Sequence, residues 1–121
     1  MPLVVRAFPV LPGKEEQLRE MAAAMAGDRR AEAAEFYRSF GVTRESWHLQ
    51  HTDHGAWVIG VTDVPDDLEA KAQAYATSER PFDRWFKNQV LAISGIDPDV
   101  EPLGPPTQTL FEFPDPYRKG P

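Results

Sequence analysis

The chain of 121 residues has the length of one globular domain, and its 41% hydrophobic and 26% charged residues are typical of a folded protein. Its net charge of −6 argues against binding to nucleic-acid phosphates, and the absence of cysteine excludes disulfides and thiolate metal sites. The N-terminal residues show no signal-peptide pattern and no apolar run is long enough to cross a bilayer, so we expect a cytoplasmic protein with no membrane partner.

The first third of the chain changes hydrophobic period once. Residues 3–11, LVVRAFPVL, are rich in β-branched and aromatic side chains, which predicts a strand with its prolines toward the far end. From Lys14 to Gly41 the apolar residues recur at helical spacing. Because Gly27 can end a helix and Asp28 can cap a new one, the pattern fits either one kinked helix or two shorter helices.

A β-hairpin is predicted over residues 42–63. The side chains of its first strand alternate between two faces, one with Trp47, Leu49 and His51 and the other with Arg44, Ser46, His48 and Gln50. A three-residue loop over 53–55 would pair Thr52 with Ala56, and in sequence His51 with Trp57, Leu49 with Ile59 and Trp47 with Val61. In this register the two apolar faces coincide, so we expect a common buried surface.

The remaining chain predicts one interrupted helical region and a last strand. Pro65 and the acidic residues after it are typical of a helix start, and Pro81 begins a second helical segment that ends at Gly95. The four prolines of residues 97–106 cannot continue a helix, and TQTLFEF at 107–113 predicts a fourth strand. The expected fold is therefore α+β and ferredoxin-like, in the order βαββαβ, with helices on one face of a four-stranded antiparallel sheet. Residues 1–113 form the single domain and residues 114–121 a C-terminal tail.

Three segments carry a resemblance to a known superfamily, namely VLPGKEEQLRE, WHLQHTDHGAWVIGV and RPFDRWFKNQVLAISGID. With this element order the chain resembles the dimeric α/β-barrel superfamily over about residues 3–113, especially antibiotic-biosynthesis-monooxygenase-like and uncharacterised bacterial members. The resemblance implies a homodimer that packs sheet face against sheet face, and a substrate cleft between sheet and helices. Known members include cofactor-free monooxygenases, haem-degrading enzymes, isomerases and lyases. Arg6 stands where haem-degrading members resemble one another through Asn, so haem degradation is not expected.

The first candidate site lies on the helix-facing side of the predicted sheet. It combines His51 with Trp47, Trp57 and Trp85. Three indoles can hold a planar substrate, and an imidazole can transfer a proton near neutral pH. The alternative is that these large side chains simply form the core. An open cleft beside His51 would favour the site, and a sealed cluster would favour the core.

The second candidate site lies on the opposite face and consists of Arg6, Ser46, His48 and Gln50. A guanidinium that leaves water needs a negative partner there, which is either Glu112 or the carboxylate of an organic ligand. The three histidines of the chain alternate in direction along the hairpin, so they do not converge and no metal site is expected.

Two functions follow as hypotheses. One is a cofactor-independent, monooxygenase-like enzyme acting on a small aromatic or polyketide-like molecule, with His51 or His48 moving the proton. The other is a non-catalytic homodimer that binds a small ligand or a protein partner through the same cleft.

Overall fold

The computed structural model describes residues 3–64 and 66–114. The elements are β1 (Leu3–Val10), α1 (Glu15–Ala26), α2 (Arg30–Ser39), β2 (Arg44–Thr52), β3 (Gly55–Asp63), α3 (Leu68–Thr77) and α4 (Pro81–Ser94). The protein is a small α+β domain in which a three-stranded antiparallel sheet, in the order β1-β3-β2, packs with these four helices. The predicted order βαββαβ is wrong, and the observed order is βααββαα.

The hairpin between β2 and β3 forms where it is predicted but in a different register. Thr52 pairs with Gly55, not with Ala56, so the connection has two residues and His51 lies opposite Ala56. The Thr52 hydroxyl closes this turn, since its Oγ1 donates to the Gly55 carbonyl at 2.8 Å and accepts from the backbone N–H of His54 at 3.1 Å. Gly55 has a φ of +112°, a conformation that glycine adopts without a steric penalty.

The changed register decides which side chains face the helices. Directly paired residues of antiparallel strands point to the same side of the sheet. The inner face, toward the helices, therefore carries Val4, Arg6, Phe8 and Val10 of β1, Glu45, Trp47, Leu49 and, at its edge, His51 of β2, and Ala56, Val58, Gly60 and Thr62 of β3. The outer face carries Trp57, Ile59 and Val61, which the predicted register had placed beside Trp47 and Leu49.

The core lies between the inner face and the helices. Its buried members come from β1 and from three of the helices, namely Val10, Leu18, Met21, Ala33, Phe36, Phe82, Phe86 and Ile93. Phe36 is central, because its ring is 4.7 Å from that of Phe86 and 5.3 Å from that of Phe82. Burial of such aromatic side chains is a dominant favourable contribution to folding.

The helical regions each divide into two helices. α1 ends at Gly27, where a Cβ would lie 2.9 Å from the Ala23 carbonyl oxygen, and the chain restarts as α2 at Arg30. Of the two alternatives that the sequence leaves open, the two-helix form is correct. α4 begins at Pro81 and ends at Gly95 in the left-handed conformation, both as predicted. The predicted helix start at Pro65 lies outside the described residues.

The predicted fourth strand is absent, since residues 107–113 form no strand in the described chain. The segment is fastened to the sheet by Thr107, whose Oγ1 donates to the Val5 carbonyl at 2.6 Å. Beyond it Leu110, Phe111 and Phe113 are 82–87% exposed. Alternation of apolar residues predicts a strand only where a neighbour supplies the ladder hydrogen bonds, and β1 does not pair with this segment. Most of the predicted tail, residues 115–121, lies outside the described residues, and the single domain over 1–113 stays a prediction.

No helix among residues 3–64 and 66–114 is long and apolar enough to span a membrane.

Candidate functional site

A cavity of about 180 Å³ opens between the inner face of the sheet and the helices. We call it the inner cavity. Its walls are mainly apolar and aromatic, with Phe8, Phe36, Tyr37, Phe40, Trp47, Tyr75 and Phe86 among them. The titratable polar groups on its wall, the two tyrosines apart, are Arg6, Glu45 and Lys71. An apolar cavity with few polar groups is the usual form of a small-molecule site.

The chain reaches the inner cavity from its C-terminal side as well. Pro102 and Leu103 line it, and the next residue, Gly104, packs so closely on Phe8 that a Cβ would lie 2.6 Å from the ring. The proline-rich segment after α4 therefore forms part of the wall. A second depression, of about 420 Å³, lies at the end of the hairpin, but its titratable residues Glu15 and His54 stand at the surface.

Glu45 is the acidic group of the inner cavity. Its carboxylate accepts hydrogen bonds from Tyr37 Oη at 3.1 Å, from Trp47 Nε1 at 2.8 Å and from the Thr62 hydroxyl. Burial raises the pKa of Glu45 above its ordinary value of 4.5, although the three hydrogen bonds oppose that rise. A carboxyl group with a raised pKa can release and take up a proton closer to neutral pH.

The two tyrosines near Glu45 are neutral phenols. Burial is the main cause that raises the pKa of Tyr37, and the neighbouring Glu45 carboxylate raises it further. Burial likewise raises the pKa of Tyr75. Both phenols therefore keep their protons through the neutral range, and Tyr37 directs its proton to Glu45.

Arg6 lies on the inner face and not, as predicted, on the opposite face with Ser46, His48 and Gln50. Its Nη1 donates to the Val5 carbonyl at 3.1 Å and to Thr107 Oγ1 at 3.3 Å. Its Nε is buried and has no hydrogen-bond partner within the described chain. Burial lowers the pKa of the guanidinium. The predicted alternative partner Glu112 is exposed and forms no ion pair with Arg6.

The first candidate site is not assembled, because only Trp47 among its members lines the inner cavity. The side chain of His51 is 64% exposed, and its Nε2 lies 2.6 Å from Glu15 Oε1 at the start of α1. Trp57 is on the outer face, since the register differs by one residue from the predicted one. The Arg29 guanidinium lies over Trp85, with its Cζ atom 4.3 Å from the centroid of the Trp85 ring.

The second candidate site is also divided. His48 and Ser46 remain neighbours on the outer face, with His48 Nε2 3.0 Å from Ser46 Oγ, and Gln50 is exposed on the same face. Arg6 is on the other side of the sheet. Across residues 3–64 and 66–114 no three potential ligands among His, Cys, Asp and Glu come together to hold a metal ion.

Sequence reasoning missed Glu45, although the strand pattern contained the signal. Glu45 shares the alternation of Trp47 and Leu49, so a carboxyl group stands on the apolar face of an amphipathic strand. Such a residue is costly to bury and needs donors, which here are Tyr37 and Thr62.

No protein-family model, no curated protein and no solved structure matches this chain.

Proposed function

We propose that this protein binds a small, largely apolar molecule in the inner cavity, with Glu45 as the group that exchanges a proton with it. The observation that supports this proposal most is the position of Glu45, a half-buried carboxyl group on the wall of an open aromatic cavity. The cavity is open to solvent, so an apolar occupant would displace water from its aromatic walls.

The volume of the inner cavity limits the size of the molecule. An engineered apolar cavity of about 150 Å³ in another protein holds benzene. The 180 Å³ here therefore suits one substituted aromatic ring. A polyketide-like molecule with several fused rings would have to extend through the open side.

The catalytic form of this proposal is a cofactor-independent, monooxygenase-like reaction. His51 and His48 lie outside the inner cavity, so Glu45 takes the proton-transfer role that the sequence analysis gave to them. Glu45 would accept a proton from a bound phenol, and the phenolate would then supply electrons to dioxygen as co-substrate, one oxygen atom entering the ring as the second carbonyl of a quinone and the other leaving as water. Tyr37 and Trp47 donate hydrogen bonds to Glu45, and these would stabilise its charged form again once it has released the proton.

The alternative is a ligand-binding protein without turnover, which uses the same cavity. Oxygen consumption separates the two forms when candidate phenols are incubated with wild type and with Glu45→Gln. Oxygen consumption that the substitution abolishes supports catalysis. Ligand binding without oxygen consumption supports only the binding function.

The binding function is tested by filling the inner cavity from Gly60. A Cβ at this residue on β3 would meet no atom within 4 Å, so a larger side chain can project into open space. We expect wild type to bind neutral single-ring probes such as benzyl alcohol in ligand-observed NMR, and Gly60→Val to weaken that binding at least about tenfold. Its urea midpoint should stay the same or rise, because valine fills space and favours strands.

The control for this experiment is Ser46→Val, which adds a similar side chain to the outer face. It should leave probe binding unchanged. The binding function is refuted if wild type binds none of the single-ring probes, or if folded Gly60→Val binds them as well as wild type does.

We also propose a homodimer through the outer face of the sheet, as the resemblance to dimeric α/β barrels suggests. The helices cover only the inner face, and the outer face carries Trp57, Ile59 and Val61 beside Leu3 and Val5, which are 54% and 38% exposed. An apolar sheet face that no helix covers is a surface that a second copy of the chain can bury.

Light scattering at micromolar concentration tests the homodimer. Wild type is expected to have twice the chain mass, and Ile59→Lys is expected to be a folded monomer because a charge replaces an apolar side chain at the centre of the face. Ala23→Lys, which adds the same side chain at an exposed position of α1, is the matched control and should remain a dimer. A monomeric wild type refutes the proposal.

A further inference from the structure

We propose that the molecule bound in the inner cavity is an organic carboxylate, anchored by Arg6 and assisted by Lys71. This inference rests on the proposed binding function and names the chemical class of its ligand. It concerns the unpaired cations of the cavity wall and not Glu45.

Arg6 differs from the other arginines by its surroundings. Five arginines of the described chain pair with carboxylates, namely Arg19, Arg29, Arg38, Arg80 and Arg84. Arg30 and Arg44 are exposed, so water solvates their charges. Arg6 is half-buried on the wall of an apolar cavity, and no carboxylate of residues 3–64 and 66–114 pairs with it. A cation that has lost part of its water without gaining an anion is a site prepared for one.

The hydrogen bonds of Arg6 leave one nitrogen of the guanidinium available. Nη1 is occupied by two neutral oxygens, those of the Val5 carbonyl and the Thr107 hydroxyl. Nε is buried, so a ligand does not reach it. Nη2 forms no hydrogen bond within the described residues and is not one of their buried unpaired atoms, so a carboxylate oxygen can accept its N–H groups.

Lys71 brings a second positive charge to the same cavity. It lies on α3, is half-buried on the cavity wall and forms no ion pair in the part of the chain that the structure describes. Arg6 and Lys71 together exceed the single negative charge of Glu45, so the cavity wall is positive in a chain whose net charge is −6. One carboxylate would neutralise the excess charge that remains when Glu45 is ionised.

The apolar residues of the cavity wall favour an apolar body for the ligand. Phe36, Phe86 and Trp47 form an apolar surface that suits a ring or a short branched chain. A phosphate ester would bring a second negative charge and three acceptor oxygens, for which the described cavity wall offers too few donors. A monoanion with one apolar ring, such as benzoate, therefore matches the charge, the volume and the apolar wall together.

Two probes of the same shape test this inference, namely benzoate and benzyl alcohol. We expect wild type to bind benzoate at least about tenfold more tightly than benzyl alcohol in calorimetric or NMR titrations near pH 7. Arg6→Met should remove that preference and leave benzyl alcohol binding within about twofold of wild type, because it removes the charge and keeps the volume. Lys71→Met should reduce the preference in part.

The matched control is Arg44→Met, which removes an exposed arginine from β2, the opposite edge strand of the sheet, and should change neither affinity. If Arg6→Met does not fold by circular dichroism, Arg6→Lys keeps the charge but loses the Nη2 donor on a shorter side chain, and it should lower the benzoate preference several-fold.

The outcomes separate this inference from the proposed function. Equal or tighter binding of benzyl alcohol by wild type overturns the carboxylate assignment and leaves the binding function standing. A benzoate preference that survives in folded Arg6→Met, or in Arg6→Lys where Arg6→Met does not fold, also overturns the assignment. If wild type binds neither probe, both proposals fail.

Discussion

Lys87 of α4 is a completely buried cation, with 0% of its side chain exposed. Its Nζ donates to the carbonyl oxygens of Tyr75, Ala76 and Ser78 at 3.0, 3.0 and 2.9 Å, and lies 2.7 Å from Asp99 Oδ1. These carbonyls end α3 and have no further turn of helix to bond them. The ammonium of Lys87, a residue of α4, thus caps the C-terminus of α3.

The substitution Lys87→Met keeps the apolar stem and removes the ammonium. Each hydrogen bond to a charged group contributes about 1.5–3 kcal/mol, and breaking a buried charged contact costs about 3–5 kcal/mol in total. Asp99 is 39% exposed and still accepts from Arg84 at 3.0 Å, so most of the loss comes from the abandoned carbonyls. We therefore expect Lys87→Met to lower the free energy of unfolding by about 3–5 kcal/mol.

Urea denaturation followed by far-ultraviolet circular dichroism measures this loss, with an unchanged dependence on urea if only stability changes. Lys71→Met is the matched control, and it should lose less than about 1 kcal/mol because Lys71 forms no ion pair within the described residues. The reasoning is refuted if Lys87→Met unfolds within about 1 kcal/mol of wild type, because the three carbonyls then need no ammonium.

Three further outcomes are expected. Gly104→Ala should lose about 1–3 kcal/mol of stability in urea, because Gly104 has a φ of +77° and its new methyl would press on the Phe8 ring; an unchanged midpoint would contradict this contact. Because the pKa of Glu45 is raised, the folded state keeps a proton that the unfolded chain releases near pH 4.5. The stability of wild type relative to Glu45→Gln should therefore fall as the pH rises above 4.5. A difference in stability that does not depend on pH would contradict this prediction. His51→Ala should leave benzyl alcohol binding unchanged, because His51 is paired with Glu15 at the surface; a large loss in NMR titration would return His51 to the site.

The sequence predicted the kinds of chemical group in the candidate site better than the residues that supply them. The sequence singled out Trp47 and Arg6, and both line the inner cavity. It selected His51 because that residue shares the alternation of Trp47 and Leu49, and it placed Trp57 beside them because a three-residue loop was assumed. Glu45 shares the same alternation and was not singled out. Arg6 was assigned to the wrong face, since its register with the hairpin depends on the pairing of β1 with β3, which are far apart in the chain.

The sequence by itself determined the elements whose signals are local. Hydrophobic period and the turn residues around 53–55 placed β1, the hairpin and both helical regions, because backbone preference and amphipathic spacing act over a few residues. The hairpin register, the position of residues 107–113 and the contact of Glu45 with Tyr37 depend on how the folded chain packs. The two-residue connection, with Thr52 opposite Gly55, shifts β3 by one residue, and alternation along the strand then places its side chains on the face opposite to the predicted one. Contacts between distant segments set which groups share the cavity, and no local pattern encodes them.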